Sequence, residues 1–139
     1  MLYAWTEDLA TGHLMIDTQH KQLVTAINNL LDACSQGKGR EILNTTLDFL
    51  TSYTEKHFND EEKLQIQYHY PDYQNHKKLH EQFKKFVRDL SDKIKKEGAT
   101  TELVSKVTSG VGGWLINHIK GEDKKVAGHI HFRECSSQG

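Results

Sequence analysis

Between His57 and His80 the chain carries two pairs of potential metal ligands at one spacing, His57 with Glu61 and His76 with His80. In an α-helix, positions i and i+4 stack on one face a turn apart, so each pair can aim two donors at a common point. Imidazole nitrogens suit iron, copper and zinc, and carboxylates add hard oxygen donors. Between the pairs lies Tyr68-His69-Tyr70-Pro71-Asp72, with the chain's only proline. Proline disfavours helix in the residue before it and suits a first helical turn. One helix should therefore end just before Pro71 and a second begin near it, running back antiparallel. Two ligand-bearing helices facing each other across a tight link make half of a metal site.

The elements that must position these residues follow from apolar periodicity. Asp17 or Thr18 can cap a first helix whose stripe is His20, Val24, Ile27 and Leu31. Ser35 to Gly39 (SQGKG) ends it with C-cap glycine chemistry. A second helix from Arg40 or Glu41 presents Leu43, Leu47 or Thr46, Leu50, Tyr53, His57, Glu61 and Leu64. A third, starting around Pro71–Asp72, gives the cleanest stripe: Tyr73, His76, His80, Phe83, Val87, Leu90 and Ile94. Thr100 or Thr101 starts a fourth, with Val104, Val107, Val111, Trp114 and His118 on one face. Gly110, Gly112 and Gly113 weaken that helix by about 1 kcal/mol each relative to alanine, and close helix–helix approach is the preferred reason for them. Residues 1–16 lack a helical period but hold Trp5, Leu9, Leu14 and Ile16, which reads as an arm across the bundle. Beyond Asp123 a short polar helix is expected to about Ala127, followed by a tail over 128–139 that is disordered from Cys135 onward. The expectation is a single all-α domain spanning 1–139, with residues 17–127 forming an antiparallel up-down-up-down four-helix bundle.

All four stripes carry histidine: His20, then His57 with Glu61, then His76 with His80, then His118. Asp123 follows His118 by five residues, which on an ideal helix leaves the two side chains about 140° apart. A helix that ends or bulges near Gly121 would turn Asp123 inward. One histidine on an apolar stripe is more often a hydrogen-bonded core residue than a ligand. Five with converging acids are different, because burying them unpaired costs at least about 1–3 kcal/mol each, against a total stability near 5–15 kcal/mol. His13, His69, His129 and His131 fall off the stripes or in links, and Glu62 points about 100° away from Glu61 toward solvent. Five imidazoles and two carboxylates exceed the four ligands of one zinc site. Shared by two metals with both carboxylates bridging, they give three histidines to one ion and two to the other. The second ion then keeps an open position for a small ligand.

Composition removes other classes. With 18 Lys and Arg against 19 Asp and Glu, the net charge is -1, and no basic stripe points to nucleic acid or an anionic membrane. Two cysteines, Cys34 and Cys135, make no disulfide framework and fit a reducing, cytoplasmic setting. The N-terminal residues lack the apolar core of a secretory signal, and no apolar run approaches the roughly 20 residues of a membrane span.

The ordered motifs Ile16-Asp17-Thr18-Gln19-His20, His57-Phe58-x-x-Glu61-Glu62, His76-x-x-x-His80 after Tyr70-Pro71, and His118-Ile119-x-x-x-Asp123-Lys124-Lys125 cover residues 5–125 nearly end to end. In these the sequence resembles the hemerythrin family, and more closely its bacterial single-domain members. The resemblance implies two non-haem iron ions with an oxo or hydroxo bridge, binding O2 reversibly. It places His76, His80 and His118 on the saturated iron and His20 and His57 on the open one. Glu61 and Asp123 bridge, and Trp114 and Leu115 line the O2 pocket. Small anions such as azide would compete for the open position. Carriage, storage and O2 sensing within a longer signalling receptor all fit such a module. The alternative class is a di-iron enzyme with peroxidase-like or NO-handling activity, for which the sequence offers no second-shell acid or tyrosine obviously placed for proton delivery.

Overall fold

A computed structural model of the chain describes the backbone of residues 3–138 and the side chains of residues 3–135. Three long helices, α1 (Leu14–Ser35), α2 (Gly39–Gln67) and α3 (Tyr73–Glu97), pack with a fourth rod. The α-helical pieces of that rod are α4 (Thr101–Ser105), α5 (Gly112–His118) and α6 (Lys124–Gln138). They are joined by two π-helical turns, Lys106–Val111 and Ile119–Asp123. This is the expected antiparallel bundle, with short links after α1, α2 and α3. Its core runs along one end of the bundle through Leu23, Ile27, Leu43, Leu47, Leu50, Phe83, Val87, Leu90, Val107 and Leu115. The buried stripe of α3 matches the sequence pattern residue for residue from His76 to Ile94. Elsewhere polar residues share the inner face, with Thr54 buried where Tyr53 is expected and Gln65 where Leu64 is. On α1, Leu30 is buried and Leu31 lies at the flank.

Helix α1 begins earlier than its sequence suggests. The His13 ring accepts a bond from the Ile16 N–H and so caps Leu14 onward. Asp17 is free of capping duty, and its carboxylate instead accepts from the Thr11 amide, the Thr11 hydroxyl and the Gly12 amide. That pins the end of the N-terminal arm. The arm buries Leu9 against Val24 and Ile119, with Trp5 and Tyr3 half-buried beside them. Ile16 is buried within α1 itself, whereas Leu14 is exposed.

Two glycines of the fourth rod, Gly110 and Gly112, have local explanations. A Cβ on Gly112 would lie 2.8 Å from the Tyr3 ring and 3.1 Å from Ile27, and one on Gly110 would lie 3.1 Å from the Phe86 ring. Gly113 has nothing within 4 Å and no such reason. The first π turn spoils regular i→i−4 pairing, and the Tyr3 hydroxyl donates to the Thr108 carbonyl within it.

The C-terminal segment differs from the sequence expectation. Helix α6 continues well past Ala127 and includes Cys135, because Val126 and Ile130, four apart, are buried against the bundle. His129 Nε2 sits 2.7 Å from the Tyr68 carbonyl, and the Tyr68 hydroxyl donates to Glu134. Gly139, the end of the expected disordered tail, lies outside the described residues. Among the described residues no helix is long and apolar enough to cross a membrane.

Candidate metal centre

Seven side chains from all four rods meet at one end of the bundle, each of them buried. Helix α1 supplies His20; α2 supplies His57 and Glu61 a turn apart; α3 supplies His76 and His80; α5 supplies His118. Asp123 is the last residue of the second π turn. A π turn needs more than four residues per revolution, so a five-residue step returns to the same face. That bulge brings Asp123 Oδ1 to 3.1 Å from His118 Nε2. Donor atoms fall into two groups, each with its members within 4.8 Å of one another. One holds Glu61, His76, His80, His118 and Asp123, the other His20, His57, Glu61 and Asp123. The two carboxylates are common to both.

The donor set fits a pair of metal ions better than it fits itself. His118 Nε2 lies 3.2 Å from His76 Nε2 and 3.3 Å from His80 Nε2. Three neutral imidazoles cannot all satisfy one another there, since each ring has one acceptor nitrogen and one donor. Two nitrogens about 2.1 Å from a shared ion and at right angles lie about 3 Å apart, close to what is seen. On the other side His20 Nε2 is 2.7 Å from Asp123 Oδ2, and His57 Nε2 is 3.3 Å from Glu61 Oε2. Those contacts do not make well-formed hydrogen bonds for His20 Nε2, His57 Nε2, Glu61 Oε2 or Asp123 Oδ1, so the four atoms are crowded at contact distance, as ligands around a common ion would be.

Charge is balanced within the cluster. Burial drives the His80 imidazole down to about 2, reinforced by the neighbouring His76 and His118 against the pull of Glu61, so it is neutral and ready to ligate. Burial also works against a charged His76, but Asp123 and Glu61 outweigh it and hold that ring up at about 9. The Asp123 carboxyl is kept well below its usual range, because His118, His20 and His76 overcome its burial. Glu61 is lowered likewise, with His57 and His76 prevailing over burial and over the Asp123 charge. Both bridging candidates are thus carboxylates rather than acids.

Residues 11–130 match the family described as the hemerythrin HHE cation binding domain. The chain is 36% identical over 126 residues to a bacteriohemerythrin of Pseudomonas aeruginosa strain LESB58, covering 91% of this chain and 78% of the relative. It is 31% identical over 130 residues to a myohemerythrin of Theromyzon tessulatum, covering 92% and 93%. The chain belongs to the hemerythrin family. A solved structure of a leucine-to-phenylalanine mutant superposes with a TM-score of 0.81 at 29% identity, covering 93% of this chain and 97% of that one.

The structure also shows outer partners of the ligands that the sequence alone does not reveal. Glu62 is not solvated: it is 9% exposed and its Oε2 accepts from His80 Nδ1 at 2.8 Å. One residue past Glu61 the helix faces the flank of α3, where the outer nitrogen of His80 points. An acid behind a ligand is therefore present after all, on the three-histidine side. Gln19 accepts from His57 Nδ1 at 2.6 Å, and Gln65 donates to Glu61 Oε1 at 3.4 Å. The sequence signals for Gln19 are its place beside His20 and within the Ile16-Asp17-Thr18-Gln19-His20 motif. Aromatic rings wall the three-histidine side, with Phe58 stacked on His80 at 3.8 Å and Trp114 stacked on His118 at 4.4 Å. Trp114 is half-buried and also stacks on Phe83, while Leu115 is buried in the main core. The remaining histidines stay away from the centre. His13 caps α1, His69 occupies the left-handed turn after α2 with φ 54°, His129 meets the Tyr68 carbonyl, and His131 faces Cys135.

Proposed function

We propose that His20, His57, Glu61, His76, His80, His118 and Asp123 together hold two non-haem iron ions, and that the chain binds O2 reversibly there. One observation carries the assignment of unequal roles: the two donor groups share both carboxylates, yet one has three histidines and the other two. The group with one histidine fewer would leave its ion a position for an exogenous ligand, and the iron pair would supply the redox chemistry of reversible O2 binding.

The protein's own contribution is positional. Neutral imidazoles stabilise high-valent iron less than carboxylates do, so a histidine-rich set favours binding over oxygen activation. The α2 and α3 ligands are fixed in pairs one turn apart, and the π turn sets Asp123 between both groups. Glu62 and Gln19 hold the outer nitrogens of His80 and His57, leaving Nε2 of each ring facing inward. Phe58 and Trp114, stacked on His80 and His118, make that interior apolar, and Leu115, buried in the core, would line it with them. Burial of all seven ligands favours a small neutral guest, with azide as the anion that would compete.

Binding rather than turnover is the function, and carriage, storage and sensing all use it. In a sensor, a signalling domain would read the change. An enzyme would need an acid beside the open position, but Glu62 is engaged behind His80 on the opposite side. Cys34 and Cys135 are both free thiols, in keeping with a cytoplasmic setting.

Elemental analysis after expression in iron-replete medium tests the assignment. Two irons per chain are expected, with His76→Ala losing iron and His69→Ala keeping both. One metal per chain, or equal loss in the two variants, would overturn it.

A further inference from the structure

The outer nitrogen of His57 is not held by a carboxylate directly, as that of His80 is. It is held by the Gln19 amide, and the amide is held in turn by a surface ion pair. Gln19 Nε2 donates to Asp60 Oδ2 at 2.8 Å, and Lys56 Nζ lies 2.8 Å from that same oxygen. Gln19 is 6% exposed, the Asp60 side chain 26% and the Lys56 side chain 61%, so the chain of contacts runs from a buried ligand to solvent.

The direction of each bond is forced by the donor inventory. A carboxylate only accepts, so the end of Gln19 facing Asp60 must be its NH2. The carbonyl end must then face His57, and a carbonyl only accepts. His57 must therefore carry its proton on Nδ1, which leaves the Nε2 lone pair turned toward Glu61 and the centre. Without Asp60 the amide can rotate by 180° and offer its NH2 to Nδ1. That orientation moves the ring proton to Nε2, the wrong tautomer for a ligand.

We propose that Asp60, on the bundle surface, fixes the ligating tautomer of His57 by orienting the side-chain amide of Gln19. Both are positioning residues for the two-histidine subsite, and the inference rests on the reading of His57 as an iron ligand.

A double-mutant cycle separates this role from a merely structural one. A carboxylate at position 19 accepts from Nδ1 in either rotation and needs no orienting partner. Ferrous-iron affinity of the full chain is measured anaerobically against a chromogenic chelator. Asp60→Ala should weaken one of the two iron sites about tenfold, the low end of what loss of such a partner costs, and Asp60→Asn, whose side-chain carbonyl can still accept from Gln19, should weaken it less. In a Gln19→Glu background the same Asp60→Ala change should cause no loss of affinity, since it only removes a like charge from beside the introduced carboxylate. No effect of Asp60→Ala in the native background, or equal losses in both backgrounds, overturns the proposal. The control is His57→Ala. If it abolishes one site while Asp60→Ala does nothing, the positioning role fails and the ligand assignment stands. If His57→Ala leaves both sites intact, the ligand assignment itself fails.

Discussion

Removing the metal should strongly destabilise this bundle, and the size of the effect can be worked from the centre. Four buried ligating atoms that face it have no well-formed hydrogen bond: His20 Nε2, His57 Nε2, Glu61 Oε2 and Asp123 Oδ1. Each such atom costs about 1–3 kcal/mol, so together they remove about 4–12 kcal/mol from a fold whose total stability is typically about 5–15 kcal/mol. His76 relieves part of this, since it lies 2.7 Å from Glu61 Oε1 and 3.2 Å from Asp123 Oδ1 and can donate when protonated. The expected loss therefore sits in the lower half of that range. Urea denaturation followed by far-ultraviolet circular dichroism, with and without a chelator, measures it. The midpoint should fall steeply in the metal-free protein and recover with added ferrous iron. Stabilisation by a ligand grows logarithmically, reaching about 2.7 kcal/mol per site at a hundredfold excess over Kd. Coincident curves with and without metal would refute the reasoning, because the cluster would then be stable on its own hydrogen bonds.

Iron loading should depend on pH through His76. Its folded-state value, held up at about 9, lies above the ordinary 6.5, so in the metal-free protein its charge stabilises the fold fully below about 6.5 and ceases to as pH rises through about 9. Ligation needs the neutral ring, so ferrous-iron affinity should climb across that same window with proton release, and a flat profile in a pH-stat titration would contradict this. Leu115→Ala, at a side chain 3% exposed, should cost about 2–5 kcal/mol. It should keep both irons but speed autoxidation and azide entry by stopped flow, whereas unchanged rates would make Leu115 core packing alone. Gly112→Ala should destabilise, because its Cβ would meet the Tyr3 ring at 2.8 Å. Gly113→Ala, with open space around it, should be neutral or gain up to about 1 kcal/mol of helix propensity in thermal melts.

What was legible in the sequence is what helical spacing controls. The i, i+4 pairs His57 with Glu61 and His76 with His80, and the α3 stripe to Ile94, needed only 3.6 residues per turn. Asp123 was legible only as a conflict. Its five-residue step from His118 breaks that spacing, and the π turn Ile119–Asp123 resolves it. The start of α1 was hidden because a histidine ring, an uncommon cap, replaces the hydroxyl or carboxylate that usually marks a helix N-terminus. Glu62 and Gln19 were hidden for a different reason. An outer partner is chosen by where the far nitrogen of a ligand points, and that depends on the mutual rotation of two helices, which no single stripe encodes. The reach of α6 beyond Ala127 depends on contacts more than 60 residues apart in sequence, between His129 and Tyr68 and between Tyr68 and Glu134.

The most direct test of O2 binding at a di-iron centre is the visible absorption spectrum of the iron-loaded, reduced protein under argon, after admitting air, and after returning to argon. A colourless reduced form, an absorption band that appears with air, and loss of that band with return of the starting spectrum under argon are expected. No change with air, or a band that persists and converts to an oxidised form without recovery, would contradict reversible binding.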